Sequence, residues 1–198
     1  MKRLILLFLT SISCILLSAQ TAKSVLDKTA ALCSKGAVKI EFTAKSKEGT
    51  SSGTLITQNN RFTLKSPEAN IWFDGKTEWS MVNGSGEVNV ITPTAKEIAE
   101  MNPMNFINLY KKGYKMSMKT VNGNQEIHLI ATSKKQSIQE MYIYINPKTS
   151  KPKTIKFRSG KAWTNITVRS FTQLGQKNPL SFAFNPKDYP GVNIIDMR

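Results

Sequence analysis

Two hydrophobic periods divide the chain. Between Ala22 and Lys35, the residues Val25, Leu26, Thr29, Leu32 and Cys33 recur every three to four positions, the stripe of an amphipathic helix. Lys35-Gly36 ends it, with a cation in the last turn and a glycine beyond. From Val38 the period becomes two: Val38, Ile40, Phe42 and Ala44 alternate with Lys39, Glu41, Thr43 and Lys45, as in a strand with one buried face. A turn at Lys47-Glu48-Gly49 leads to a partner strand through Leu55. Further strands are predicted over Arg61–Ser66, Asn70–Phe73, Lys76–Val82 and Glu87–Thr92. Asp74-Gly75 reads as a two-residue hairpin turn, since both positions tolerate positive φ, and Asn83-Gly84-Ser85-Gly86 makes the next turn.

The strand pattern then breaks. Thr94-Ala95-Lys96-Glu97 has the spacing of a capping box opening a helix through Met101. Pro103 suits the first turn of a second helix carrying Met104, Phe106, Ile107, Leu109 and Tyr110, stopped at Gly113. Strands resume over Tyr114–Val121, turn at Asn122-Gly123, and continue over Asn124–Thr132, Ile138–Asn146, Lys153–Arg158 and Ala162–Phe171. Leu180–Phe184 reads as a last strand, before an irregular end marked by Pro186, Pro190 and Gly191. The reading is one domain, a sequential antiparallel meander of about eleven strands with three short helices.

Residues 1–20 stand apart from this domain. Lys2 and Arg3 precede the apolar run Leu4–Leu17, and Ser18-Ala19-Gln20 offers a small-residue cleavage region, the three parts of a secretory signal peptide. The apolar run is shorter than the ~20 residues a membrane-spanning helix needs. The expectation is a signal peptide at 1–20, a single domain at 21–198, and an exported, periplasmic product. Cys14 leaves with the signal, so Cys33 has no disulfide partner; its place on the helix stripe makes it a small core residue.

Charge and chemistry narrow the function. Lys and Arg total 28 against 13 Asp and Glu, a net charge of +15. The clusters Lys111, Lys112, Lys115, Lys119 and Lys148, Lys151, Lys153, Lys156, Arg158, Lys161 read either as a solvated surface or as attraction to anionic lipid head groups. Nucleic acid is not expected, because no recognition helix or stacking platform appears. His128 is the only histidine and falls on the polar side of its strand, so neither a catalytic triad nor a histidine metal site is expected. The carboxylates Glu78, Glu87, Glu97 and Glu100 leave a carboxylate-pair hydrolase as a distant third reading. No cofactor, metal or catalytic residue is expected. The apolar residues say more: Met141-Tyr142-Ile143-Tyr144-Ile145 is apolar on both sides, and Tyr114, Met116 and Met118 form a soft stripe. These fit either a packed core or a core left open for flexible apolar cargo.

Particular stretches resemble the periplasmic outer-membrane lipoprotein carriers (LolA-like). Ile71-Trp72-Phe73-Asp74-Gly75-Lys76-Thr77-Glu78-Trp79 is similar to that family's strand–Asp-Gly-Lys–strand–Trp hairpin. Gly53-Thr54-Leu55 with Arg61-Phe62-Thr63-Leu64 resembles the preceding strand pair, and Phe182-Ala183-Phe184-Asn185-Pro186 with Pro190-Gly191-Val192 and Asp196 resembles the ending. The resemblance implies a half-open, unclosed antiparallel β-barrel covered by a lid of short helices. It implies a monomeric carrier without catalysis, taking lipoprotein acyl chains from an inner-membrane ABC transporter to an outer-membrane acceptor. Phe62, Leu64, Ile71, Phe73, Trp79 and Met81 would line the sheet side of the cavity, and Met104, Phe106, Ile107 and Leu109 the lid. The family commonly has an arginine after the Gly-x-Leu strand that ties the lid shut. Here that position falls near Asn59-Asn60, so the displaced Arg61 is the candidate latch. The alternative is a same-fold lipid-binding or envelope sensor domain with another ligand or a protein partner.

Overall fold

The computed structural model describes residues 22–102, 104, 109–175 and 181–198. The segment 1–20 and the lid residues Pro103, Phe106 and Ile107 lie outside them. Helix α1 (22–34) buries Ala22, Val25, Leu26 and Cys33 along the expected stripe. It is tied at two points: Thr29 Oγ1 donates to the Ser150 carbonyl (2.8 Å), and Gln173 Nε2 donates to the Leu32 carbonyl (3.0 Å). Helix α2 (Ala95–Met101) opens with the expected capping box, Thr94 and Glu97 bonding each other's backbone amides.

Among the described residues the strands form one twelve-stranded sheet. In chain order they are β1 (Ala37–Ser46), β2 (Gly49–Gln58), β3 (Arg61–Lys65), β4 (Ala69–Phe73), β5 (Glu78–Val82) and β6 (Glu87–Ile91). After α2 come β7 (Tyr114–Val121), β8 (Asn124–Ala131), β9 (Ile138–Ile145), β10 (Pro152–Ser159), β11 (Ala162–Gly175) and β12 (Asn193–Asp196). The spatial order is β12-β6-β5-β4-β3-β2-β1-β11-β10-β9-β8-β7. Two antiparallel meanders, β1–β6 and β7–β11, are thus joined by β1 pairing with β11, and the sheet does not close. Between Glu41 and Phe42 the β1–β11 register shifts, a bulge that bends the strands. The expected hairpin at Asn122-Gly123 forms with positive φ at both positions (47° and 72°).

Two expectations are corrected. Asp74-Gly75 is half of a four-residue loop: Phe73 pairs with Glu78, and Asp74 Oδ1 accepts from the backbone amides of Lys76 and Thr77, which widens the turn. The last strand is Asn193–Asp196, parallel to β6, and residues 181–184 are irregular. Phe182 and Phe184 alternate because both are buried against the outer face of the sheet, with no strand partner needed.

The sheet carries apolar side chains on both faces. The inner face and α1 share the main core, which includes Phe42, Leu55, Phe62, Phe73, Ile143 and Ile155. On β4–β6 the outer face has its own core of Trp72, Met81, Val88 and Val90, covered by Phe184, Tyr189 and Val192 of the C-terminal segment. In β9 the double-sided pattern resolves cleanly: Met141, Ile143 and Ile145 are buried inside, while Tyr142 and Tyr144 stand half-buried outside.

Candidate functional site

The inner wall is built by register. Phe62 pairs with Phe73 and Leu64 with Ile71 across β3 and β4, so all four face inward, and the two phenyl rings lie 5.4 Å apart. Phe62 and Phe73 are fully packed, whereas Leu64 and Ile71 remain partly uncovered. They border an apolar cavity of about 340 Å³ with Phe42, Phe157, Ile166 and Met101 of α2. Gly53 helps shape it: a Cβ there would meet the Lys65 carbonyl oxygen at 2.9 Å and the Phe42 ring at 3.1 Å. The missing side chain therefore lets the Phe42 ring lie across β2.

Trp79 and Met81 belong elsewhere. Glu78 and Ser80 take the inward positions opposite Phe73 and Ile71, so Trp79 pairs with Trp72 and Met81 with Asn70 on the outer face. Both pack in the outer core. Apolar identity was misleading here because both faces of these strands are covered. The inward Glu78 is 4% exposed, its Oε2 has no partner, and burial together with the Glu97 charge raises its carboxyl above the usual range.

Arg61 also faces outward. Its guanidinium donates to Gln58 Oε1 (3.1 Å) and lies 5.1 Å from the Phe182 ring, so among the described residues its contacts are with the β2–β3 turn and the C-terminal segment. The contact from the lid segment to α1 is a different one: Tyr110 Oη donates to Asp27 Oδ1 (2.5 Å), and Lys23 Nζ holds Asp27 Oδ2 (2.7 Å). Asp27 is lowered by the Lys23 hydrogen bond first and the Tyr110 bond next. The Tyr110 hydroxyl is raised by burial and by Asp27. Sequence reading missed this pair; a tyrosine closing an apolar helix calls for a polar partner when buried, but nothing local names a residue 83 positions away.

Beside this contact is a cleft of about 660 Å³, bordered by Ala30, Ala31 and Cys33 of α1, Asn59 and Asn60 of the β2–β3 turn, and Met104. Met104 is buried and its amide donates to Asn102 Oδ1 (3.0 Å); Leu109 packs partly buried on the main core. Burial pushes the Cys33 thiol up to about 12. His128 lies on the outer face, stacked on Tyr142 at 4.1 Å and bonded to Glu140 (2.9 Å). Among the described residues no group of three or more His, Cys, Asp or Glu could hold a metal ion, and no helix is long and apolar enough to cross a membrane.

Comparison with known proteins agrees with this architecture. No curated protein matches the chain. Among solved structures, an uncharacterized conserved protein from Thermus thermophilus is similar over 89% of this chain and 99% of its own, at 11% identity and a TM-score of 0.60. A DUF1329 family protein from Desulfovibrio piger is similar over 87% and 99%, at 7% identity and a TM-score of 0.53. These likenesses concern the fold. A family model described as outer membrane lipoprotein carrier protein LolA matches residues 12–161. The chain belongs to that family.

Proposed function

We propose that the chain is an exported, periplasmic carrier that holds lipoprotein acyl chains in its inner cavity and moves them from the inner to the outer membrane without catalysis. The observation that carries this reading is the cavity between β1, β3, β4, β10, β11 and Met101, whose wall includes the incompletely covered Leu64 and Ile71. Its volume falls within the ~300–1,000 Å³ common for small-molecule sites. Each acyl CH₂ taken from water gains about 0.8 kcal/mol, so even partial enclosure of a chain gives useful affinity. A non-catalytic role agrees with the carboxylates: Glu97, whose charge acts on Glu78, spends its Oε2 on the Thr94 amide and hydroxyl.

A fluorescent fatty-acid probe tests the proposal. A diacylglyceryl lipopeptide should displace it and the deacylated peptide should not. Leu64→Glu places a carboxylate in the wall and should weaken probe binding by about tenfold or more, because the charge must be desolvated or protonated. Equal displacement by both peptides, or unchanged binding in Leu64→Glu, defeats the reading.

A further inference from the structure

The two ends of the β7–β11 meander are not alike in charge, whereas at the rim end of the β1–β6 strands the turns carry Lys47, Glu48 and Glu68. At one end of the β7–β11 meander lie the segment entering β7 (112–113), the β8–β9 connection (132–137) and the β10–β11 turn (160–161). These stretches carry Lys112, Lys134, Lys135 and Lys161, all exposed, and no carboxylate. None of the four holds a salt bridge among the described residues. Two of the stretches are packed together: the Thr132 amide donates to the Gly113 carbonyl (2.9 Å), and Gly113 lies against the Gln136 side chain. The lysines therefore project from a fixed rim. Just inside it on the outer face are two apolar groups, Ile130 at 48% exposure and Trp163, whose ring carries the Lys156 ammonium at 4.6 Å.

The apolar cavity reaches this same end. Its wall includes Ser159 and Thr164, and Ser159 pairs with Ala162 where the β10–β11 turn begins. At the opposite end of these strands, the 122–123 turn has no lysine. The 146–151 connection has Lys148 and Lys151, and Lys151 Nζ is committed to the Phe171 carbonyl (2.9 Å).

We propose that this lysine rim docks on an anionic phospholipid bilayer, bringing the cavity end against the head groups. Lysines are hydrated point charges on flexible stems, without the planar fork that reads one defined carboxylate or phosphate. A ring of them, flanked by an exposed isoleucine and a tryptophan, suits a fluid anionic surface with interfacial depth. Binding to protein-free vesicles distinguishes this surface from an acidic protein partner. The consequence for cargo rests on the acyl-carrier reading; the docking itself is measured separately.

The test is co-sedimentation of the mature chain with vesicles of phosphatidylcholine alone or mixed with phosphatidylglycerol. Binding is expected only to the mixed vesicles and should vanish at ~1 M salt, where charges are screened within about 3 Å. Each rim lysine should contribute about fivefold, so Lys112→Gln, Lys134→Gln, Lys135→Gln and Lys161→Gln together should weaken binding several-hundred-fold. The control changes Lys76, Lys148, Lys153 and Lys187 to Gln, with the same loss of net charge, and should weaken it about tenfold or less. Equal loss in both sets, equal binding to neutral vesicles, or no binding overturns the docking proposal. Probe binding in solution separates the two readings: a wild type that binds fatty-acid probe but not vesicles keeps the carrier and loses the dock, and the reverse loses the carrier.

Discussion

Tyr110→Phe removes one oxygen and tests whether the lid is held by a hydrogen bond. In the wild type, Tyr110 is 2% exposed and its hydroxyl donates to Asp27 Oδ1. Hydrogen bonds to charged groups are worth about 1.5–3 kcal/mol. Asp27 is nearly half exposed and keeps Lys23, so water can replace part of the loss. The expected cost is about 1 kcal/mol, roughly fivefold in the lid-opening equilibrium. Two readouts apply. In NMR titration the Asp27 carboxyl should move up toward its ordinary 3.8 but stay below it, because Lys23 is the larger cause of its lowering. Dissociation of a fatty-acid probe should quicken about fivefold. The pH dependence follows from the two shifts. Asp27 is lowered, so its contribution is present above pH 3.8 and is lost as pH falls through the lowered value. Tyr110 is raised, so its contribution is present below pH 10.0 and is lost as pH rises toward the raised value. The difference between wild type and variant should therefore be flat between those limits and shrink outside them. An unmoved Asp27 titration with unchanged probe release refutes the latch.

Two other groups give sharp expectations. Cys33, with its thiol pushed up to about 12 from 9.0, should react with maleimide at neutral pH about a thousandfold more slowly than an ordinary thiol; fast labelling of the folded protein contradicts its burial against the core. Glu78→Gln should stabilise the protein by about 1 kcal/mol near neutral pH, since an unsatisfied buried charge is costly. Its folded value is raised above 4.5, so the penalty is absent well below pH 4.5, grows as pH rises above 4.5, and levels off once pH passes the raised value. Chemical denaturation should show no difference between Glu78→Gln and wild type well below pH 4.5.

Local patterning revealed the elements far better than the faces. The α1 stripe, the capping box at Thr94 and the Asn122-Gly123 turn all depend on neighbours within four residues, and each forms as expected. Assigning Trp79 and Met81 to a face needed knowledge of the C-terminal segment, which returns about a hundred residues later to cover Trp72 with Phe184 and Tyr189. Alternation says which residues share a side; it does not say whether the other side is wet. The outward contact of Arg61 was illegible for the same reason, as its partner Phe182 is distant in sequence. The Asp27–Tyr110 contact was illegible because it joins the first helix to the lid segment. The lysine rim was visible only as separate charge runs, which the meander gathers at one end.

The double-sided packing of β4–β6 answers a structural demand of any cavity. A strand whose inner residues are left uncovered loses part of the burial that would hold it in the sheet. Here Trp72, Phe184 and Tyr189 make three mutual ring contacts at 5.2–5.4 Å on the outer face. Such pairs contribute about 0.5–1.5 kcal/mol each beyond their area. The parallel β12 adds a ladder along β6. These strands are thus anchored from the side away from the cavity, and Ile71 on the inner wall of β4 can stay partly bare without the wall collapsing. The inward Glu78 works the other way, since its buried, unpartnered Oε2 costs the sheet stability on the inner side. Stability placed outside and incomplete burial left inside let the wall keep its shape with the cavity unfilled, as the proposed uptake and release of an apolar chain requires.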